Sequence, residues 1–155
     1  MLRTPRWRRV GPVAAAALVR SFYHLLDRHR VDEAVGFLDD DFRGHGMGSD
    51  RAGFRAEAAA WMAAFPDLRI SIDQLVTDGT SVAARLVLRG THQGRFAGLS
   101  PTGRPIDIAG VDVLVEHAGR FVEAWSLRDL NGLWVQLGAL PDPSPITPFN
   151  DRSIT

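Results

Sequence analysis

The stretch GVDVLVEHAGRFVEAWSLRDLNGLWVQLG, residues 110–138, reads as a strand, a tight turn, a second strand and a short C-terminal helix. Side chains alternate sides along a strand, so Ile106, Ile108, Gly110, Asp112 and Leu114 share one face. An aspartate on an otherwise apolar face is costly to keep charged unless a partner or water reaches it. Asp112 is therefore the most informative residue of the chain. The segments upstream read as scaffolding for the cavity in which it sits.

Working backwards, Ser81 to His92 forms a long strand with Ala83, Arg85, Val87 and Arg89 on one face. Leu68, Ile70 and Ile72 alternate with polar residues ahead of a Thr77-Asp78-Gly79-Thr80 turn. Before residue 68 the period is helical. Phe54, Ala58, Trp61, Met62 and Phe65 form an apolar stripe, with Ser49 as the expected cap and Pro66 as the stop. The stripe reads first as core. A second reading makes Trp61 and Phe65 the wall of a ligand pocket. Arg43-Gly44-His45-Gly46-Met47-Gly48 is a glycine-rich loop without the Gly-Lys-Ser/Thr of a phosphate loop. Asp32 is expected to cap a short helix through Leu38, closed by Asp39-Asp40-Asp41. Pro12 opens a first helix carrying Leu18, Phe22, Leu25 and Leu26.

Three helices followed by about four antiparallel strands predict an α+β fold, a curved antiparallel sheet covered by N-terminal helices around an internal pocket. The expected organisation is a basic arm over residues 1–12, one domain over 13–140 and a Pro-rich tail over 141–155.

Composition narrows the chemistry. The chain has no cysteine, so thiolate nucleophiles, disulfides and Cys-ligated metals are excluded. All 18 basic residues are arginine, which excludes Schiff-base chemistry on lysine. Net charge is zero, giving no electrostatic case for nucleic acid. No apolar run approaches the ~20 residues of a membrane span, and the apolar run after the arginine-rich start continues into an amphipathic helix. A cytoplasmic protein is expected. The histidines show no metal-ligand spacing, and no metal is expected.

The motifs Phe65-Pro66-Asp67-Leu68, Gly90-Thr91-His92-Gln93-Gly94, Pro101-Thr102-Gly103-Arg104 and Trp125…Asp129…Gln136-Leu137-Gly138 resemble the SnoaL-like polyketide cyclases, or ester cyclases. That family is a branch of the nuclear-transport-factor-2-like superfamily. The resemblance covers roughly residues 13–138 and implies a cone with an internal pocket. It further implies a hydrophobic polyketide-like substrate, a reaction without cofactor or metal, and a homodimer. The family's acid/base aspartate falls on Ser126 here, ten residues before Gln136. A histidine of the aldol cyclases falls on Asp112, and a nearby glutamine on Gly110. Asp112 also lines up with the oxyanion-hole aspartate of ketosteroid isomerase, whose base falls near Gly46, beside His45, and whose tyrosine falls on Phe22, next to Tyr23.

These readings make Asp112, His45 and Asp129 the candidate catalytic residues, and Trp61, Phe65, Arg85, Trp125 and Ser126 the candidate substrate contacts. Asp112 would move protons with His45 as partner. Its alternative is a structural acid bonded to Arg85 or Arg128. Asp129 reads equally as a helix cap, and His45 as an exposed loop residue. Three functions follow: cyclisation or isomerisation of a polyketide-like substrate, epoxide opening with His45 or Asp129 activating water, and a non-catalytic binding or dimerisation module.

Overall fold

A computed structural model of the chain describes residues 12–141. The expectations for the basic arm and the Pro-rich tail lie outside the described residues, Pro12 and Pro141 apart. The order is α1 Pro12–Asp27, α2 Val31–Val35, β1 Leu38–His45, α3 Arg51–Ala64, β2 Arg69–Thr77, β3 Ser81–Thr91, β4 Pro105–His117, β5 Arg120–Arg128 and α4 Leu130–Gln136. The strands form one curved open sheet in the order β1-β5-β4-β3-β2, antiparallel except where β1 runs parallel to β5. This is the expected α+β class with one strand added.

The added strand is a correction. Leu38 and Phe42 are buried and four residues apart, a spacing that reads as one face of a helix. The register of β1 on β5 shifts between Leu38 and Arg43, and this irregularity replaces the simple alternation by which a strand announces itself. Two caps also differ. Asp50, not Ser49, caps α3 by accepting from the Gly53 N–H at 2.8 Å. The N-cap of α2 is Arg30, and Asp32 lies inside that helix.

On β4 the alternation is regular. Ile106, Ile108, Gly110, Asp112, Leu114 and Glu116 point inward. They meet Val82, Ala84, Leu86 and Leu88 of β3, and Val19, Phe22, Tyr23 and Leu26 of α1 belong to the same core. The helices thus cover one face of the sheet. At the end of α1 the Asp27 carboxylate accepts from Ile70 N at 2.8 Å and from Arg69 Nε at 2.9 Å and Nη2 at 2.8 Å, docking the helix on the edge strand β2.

The sequence motifs close the ends of this layer pair. Asp67 accepts from Thr91 N at 2.7 Å and Oγ1 at 2.8 Å, and Thr102 N donates to buried His92 Nδ1 at 3.2 Å. Gln136 is bonded both ways to the Asp107 backbone, at 2.7 and 3.0 Å, holding α4 on β4. These are fasteners with backbone partners.

Candidate active site

The β4–β5 hairpin turns at Ala118 and Gly119, both with positive φ, and it contains an irregularity between Val115 and Glu116. That irregularity sets the site. It moves the register so that Asp112 faces Ser126 and Gly110 faces Arg128. Ser126 and Arg128 therefore share the inward face of Asp112, while Trp125 and Leu127 point outward.

Arg128 closes on the Asp112 carboxylate with both terminal nitrogens. Nη1 donates to Oδ1, and Nη2 donates to Oδ2 at 3.0 Å. The fork geometry matches the two oxygens of a carboxylate. Tyr23 of α1 donates its hydroxyl to the same Oδ2 from the opposite layer. The side chains are nearly water-free, with 3% of Asp112 and 10% of Arg128 exposed. A buried charge pair of this kind is tolerable because every carboxylate oxygen is bonded.

Electrostatics follow from the geometry. Burial pushes the Tyr23 phenol well above its usual range, and the negative charge of Asp112 pushes the same way. Tyr23 stays a neutral donor. Burial opposes the charge of Arg128, but the hydrogen bonds and charge of Asp112 outweigh it and the net displacement is upward. Arg128 stays cationic.

A cavity of ≈ 30 Å³ lies between the layers, lined by Tyr23, Leu26, Met47, Ala58, Trp61, Met62, Leu68, Ile70, Leu88 and Arg128. Its wall is apolar except at Tyr23 and Arg128. Asp112 lies behind those two side chains and reaches the cavity through them.

The predicted residues divide accordingly. Trp61 lines the cavity, and Phe65 stacks behind it at 5.6 Å. Ser126 is buried directly across from Asp112. His45 does not share a pocket with Asp112. It lies on β1 next to Trp125, stacks on that outward-facing ring at 4.9 Å and bonds Glu123 Oε1 at 2.9 Å. Trp125 is accordingly on the outer surface. Arg85 faces outward too, pairing with Asp73, so the arginine of Asp112 is Arg128 alone of the two considered. Asp129 caps α4 by accepting from Gly132 N at 2.8 Å. The partnership of Asp112 with His45 is thus replaced by one with Tyr23 and Arg128.

Tyr23 was missed as a site residue. It is the single tyrosine of the chain, in the α1 stripe between Val19 and Leu26. A buried tyrosine needs a partner for its hydroxyl, and that requirement was the available signal. Among the described residues no group of three His, Asp or Glu side chains is placed to hold a metal ion. No helix of the described residues is long and apolar enough to cross a membrane.

Comparison with known proteins gives the same frame. AclR from Streptomyces galilaeus, named as a candidate hydroxylase, is 26% identical over 87% of this chain and 87% of its own, with a TM-score of 0.80. TsrD from Streptomyces laurentii is 26% identical over 84% of this chain and 99% of its own, with a TM-score of 0.76. IdmH from Streptomyces antibioticus, named as a candidate polyketide cyclase, is 28% identical over 80% of this chain and 98% of its own, with a TM-score of 0.71. No curated protein matches the chain. The family model for SnoaL-like polyketide cyclases matches residues 16–137, a span that runs from α1 with Tyr23 through β5 with Arg128 to the end of α4. With its helices on one face of a curved sheet and its polar groups gathered at one apolar cavity, the chain belongs to the SnoaL-like polyketide cyclase family.

Proposed function

We propose that the protein is a cofactor-independent acid/base enzyme of the SnoaL type. Its substrate is a hydrophobic polyketide-like molecule of a natural-product pathway, which it cyclises or isomerises. The observation that carries this reading is the pairing of Tyr23 and Arg128, the two polar groups of an apolar cavity, on one oxygen of Asp112.

The chemistry balances within the substrate and these three residues. An enol or phenol O–H of the substrate gives its proton to Tyr23 Oη while Tyr23 passes its own proton to Asp112 Oδ2. The enolate carbon then attacks a carbonyl carbon of the same molecule, forming the ring C–C bond and leaving an alkoxide. Asp112 returns its proton to that alkoxide through Tyr23. As Asp112 is neutralised, the substrate oxyanion becomes the counter-charge of Arg128. Negative charge is therefore relocated beside a fixed cation rather than created in a dry site, where it would cost most. The walls hold a flexible chain near its reactive conformer, which contributes several kcal/mol to ring closure.

The test is conversion of poly-β-carbonyl substrates, followed by mass spectrometry and chromatography. Ring closure or isomerisation yields a product of unchanged mass and new retention. Asp112→Asn and Tyr23→Phe are each expected to lower the rate at least ~100-fold. Wild-type rates in the Asp112→Asn protein would overturn the assignment.

One observation favours a second reading, a small-molecule-binding module. Both oxygens of Asp112 are held by Arg128 and Tyr23, which suits a fixed polar anchor for a ligand better than a free base. Binding of polyketide-like ligands without conversion would select it. For assembly we infer a homodimer through the outer sheet face, where Val111 and Leu127 are cross-strand neighbours and exposed beside Trp125. Sedimentation at micromolar concentration tests it, and a monomer throughout would refute it.

A further inference from the structure

The glycine-rich segment between β1 and α3 takes no part in the chemistry above, yet it is built to close tolerances. Gly46 has φ 89°, and a Cβ there would stand 2.1 Å from the Ser126 carbonyl oxygen. Gly48 has φ 60°, and a Cβ there would stand 2.1 Å from Phe54 N. Its N–H is also bound by Glu57 Oε2 at 2.8 Å. The backbone on either side of Met47 is therefore pressed onto β5 and α3, positions only glycine permits. The consequence is a fixed anchor for one side chain.

Met47 projects from that anchor into the cavity wall, with its thioether 4.0 Å from Arg128 Nη2. Each N–H of the Arg128 terminal nitrogens then has an assignment. Nη1 serves Asp112 Oδ1 and the Leu127 carbonyl at 2.9 Å, and Nη2 serves Asp112 Oδ2 and the Met47 sulfur. Three acceptors are oxygens. The fourth is a thioether, a weak acceptor that loses little when it leaves. Tyr23 supplies the complement, since its hydroxyl proton is committed to Asp112 while its oxygen retains acceptor capacity. Both groups touch the same carboxylate oxygen, which keeps them within about 5 Å of each other.

We propose that Met47 is a displaceable stopper on a substrate-oxygen site, in which Arg128 Nη2 receives a ligand carbonyl and Tyr23 Oη receives the hydroxyl beside it. The ligand class is a hydrophobic molecule with a β-hydroxy enone arrangement, a carbonyl and an enol or phenol hydroxyl whose carbons are separated by one carbon of the same conjugated segment. The inference deepens the proposed function and rests on its choice of cavity. The volume requires a stopper, because ≈ 30 Å³ accommodates about two waters at most and any aromatic ligand must move part of the wall. Met47 and Met62, both partly exposed lining residues, are the adaptable side chains of that wall. Of the two, Met47 also covers the donor.

The experiment measures binding rather than turnover. Hydroxyacetonaphthone, an ortho-hydroxy aryl ketone, is titrated against quenching of tryptophan fluorescence, because Trp61 lines the cavity. Acetonaphthone and naphthalene serve as controls that lack the hydroxyl or both oxygens. In Met47→Ala the affinity for the hydroxy ketone is expected to rise about fivefold more than that for naphthalene, since stopper and competing acceptor are both removed. Met47→Leu keeps the volume and the fold, and is expected to raise the preference for the hydroxy ketone over naphthalene about twofold. Equal gains for all three ligands, no change in either variant, or no hydroxy-ketone binding to any form would each overturn the stopper. Binding as predicted with no conversion of any substrate would instead overturn the enzyme reading and leave the oxygen site standing.

Discussion

Arg128→Met removes the charge beside Asp112 while keeping an unbranched side chain of similar reach. In the wild-type protein the two carboxylate oxygens take two guanidinium N–H bonds and one phenol bond, in surroundings where 3% of the Asp112 side chain is exposed. After substitution only the Tyr23 bond remains. Breaking a buried ion pair by deleting one partner costs about 3–5 kcal/mol, most of it the stranded charge. For a chain of this length that corresponds to a fall in Tm of about 10–15 °C. The magnitude depends on Asp112 being charged and dry, so a compensating substitution should recover much of it. Asp112→Asn in the same protein removes the stranded charge and keeps an acceptor for Tyr23. The double variant is therefore expected to be more stable than Arg128→Met alone, with a coupling energy of about 2 kcal/mol or more. Urea unfolding of the four proteins at neutral pH measures the cycle, with a common m-value as the control. A cost below about 1 kcal/mol for Arg128→Met, or additive single effects, would mean that water screens the pair, and the closed polar cluster would not exist.

Three other predictions are independent of substrate. Tyr23 is the single tyrosine, so alkaline absorbance titration reads it alone. Its folded pKa is raised, mainly by burial and also by the charge of Asp112, so its stabilising contribution is complete below the ordinary value of 10.0 and is lost as pH rises towards the folded value. The phenolate signal of the folded protein is expected to appear only above the ordinary phenol range, and a reversible titration near 10.0 in the folded state would contradict the burial. Asp27 has a lowered pKa, chiefly from its hydrogen bond to Arg69, with the Ile70 N–H adding to it. Its contribution is present above the unfolded carboxylate value of ~3.9 and lost as pH falls through the lower folded value, so Asp27→Asn should weaken the protein at neutral pH and flatten its acid limb. An unchanged slope below pH ~4 would refute it. Asp129→Ala removes the α4 cap and should cost about 1 kcal/mol in urea unfolding, and no measurable loss would mean that the cap contributes nothing.

The inward face of β4 was legible because its period of two is unbroken from Ile106 to Leu114. What Asp112 meets there was not. A regular hairpin through His117 and Arg120 would put Asp112 opposite Trp125 and send Arg128 to the outside. The irregularity at Val115 and Glu116 adds one residue to β5, puts Ser126 opposite Asp112 and turns Arg128 inward. Nothing in local propensity announces that extra residue. His45 was misread for a related reason, since β1 hides its strand character behind a register shift and a glycine-rich end. The likeness to ketosteroid isomerase came within one residue of Tyr23 by pointing to Phe22. Both side chains are buried in the core, but on a helix one residue turns the direction by about 100°, and it is Tyr23 that meets Asp112.

The most direct test uses the single tyrosine as its own probe. With Tyr23 labelled with carbon-thirteen at Cζ, the hydroxy ketone is titrated in while the Cζ resonance and tryptophan fluorescence are followed together. The account predicts a Cζ shift that saturates with the fluorescence change and is lost or inverted in Asp112→Asn, because the ligand hydroxyl and Asp112 share the Tyr23 oxygen. Fluorescence quenching with a stationary Cζ resonance would place the ligand away from Tyr23, and the cluster of Tyr23, Asp112 and Arg128 would then be a structural feature of the core rather than the reactive end of the cavity.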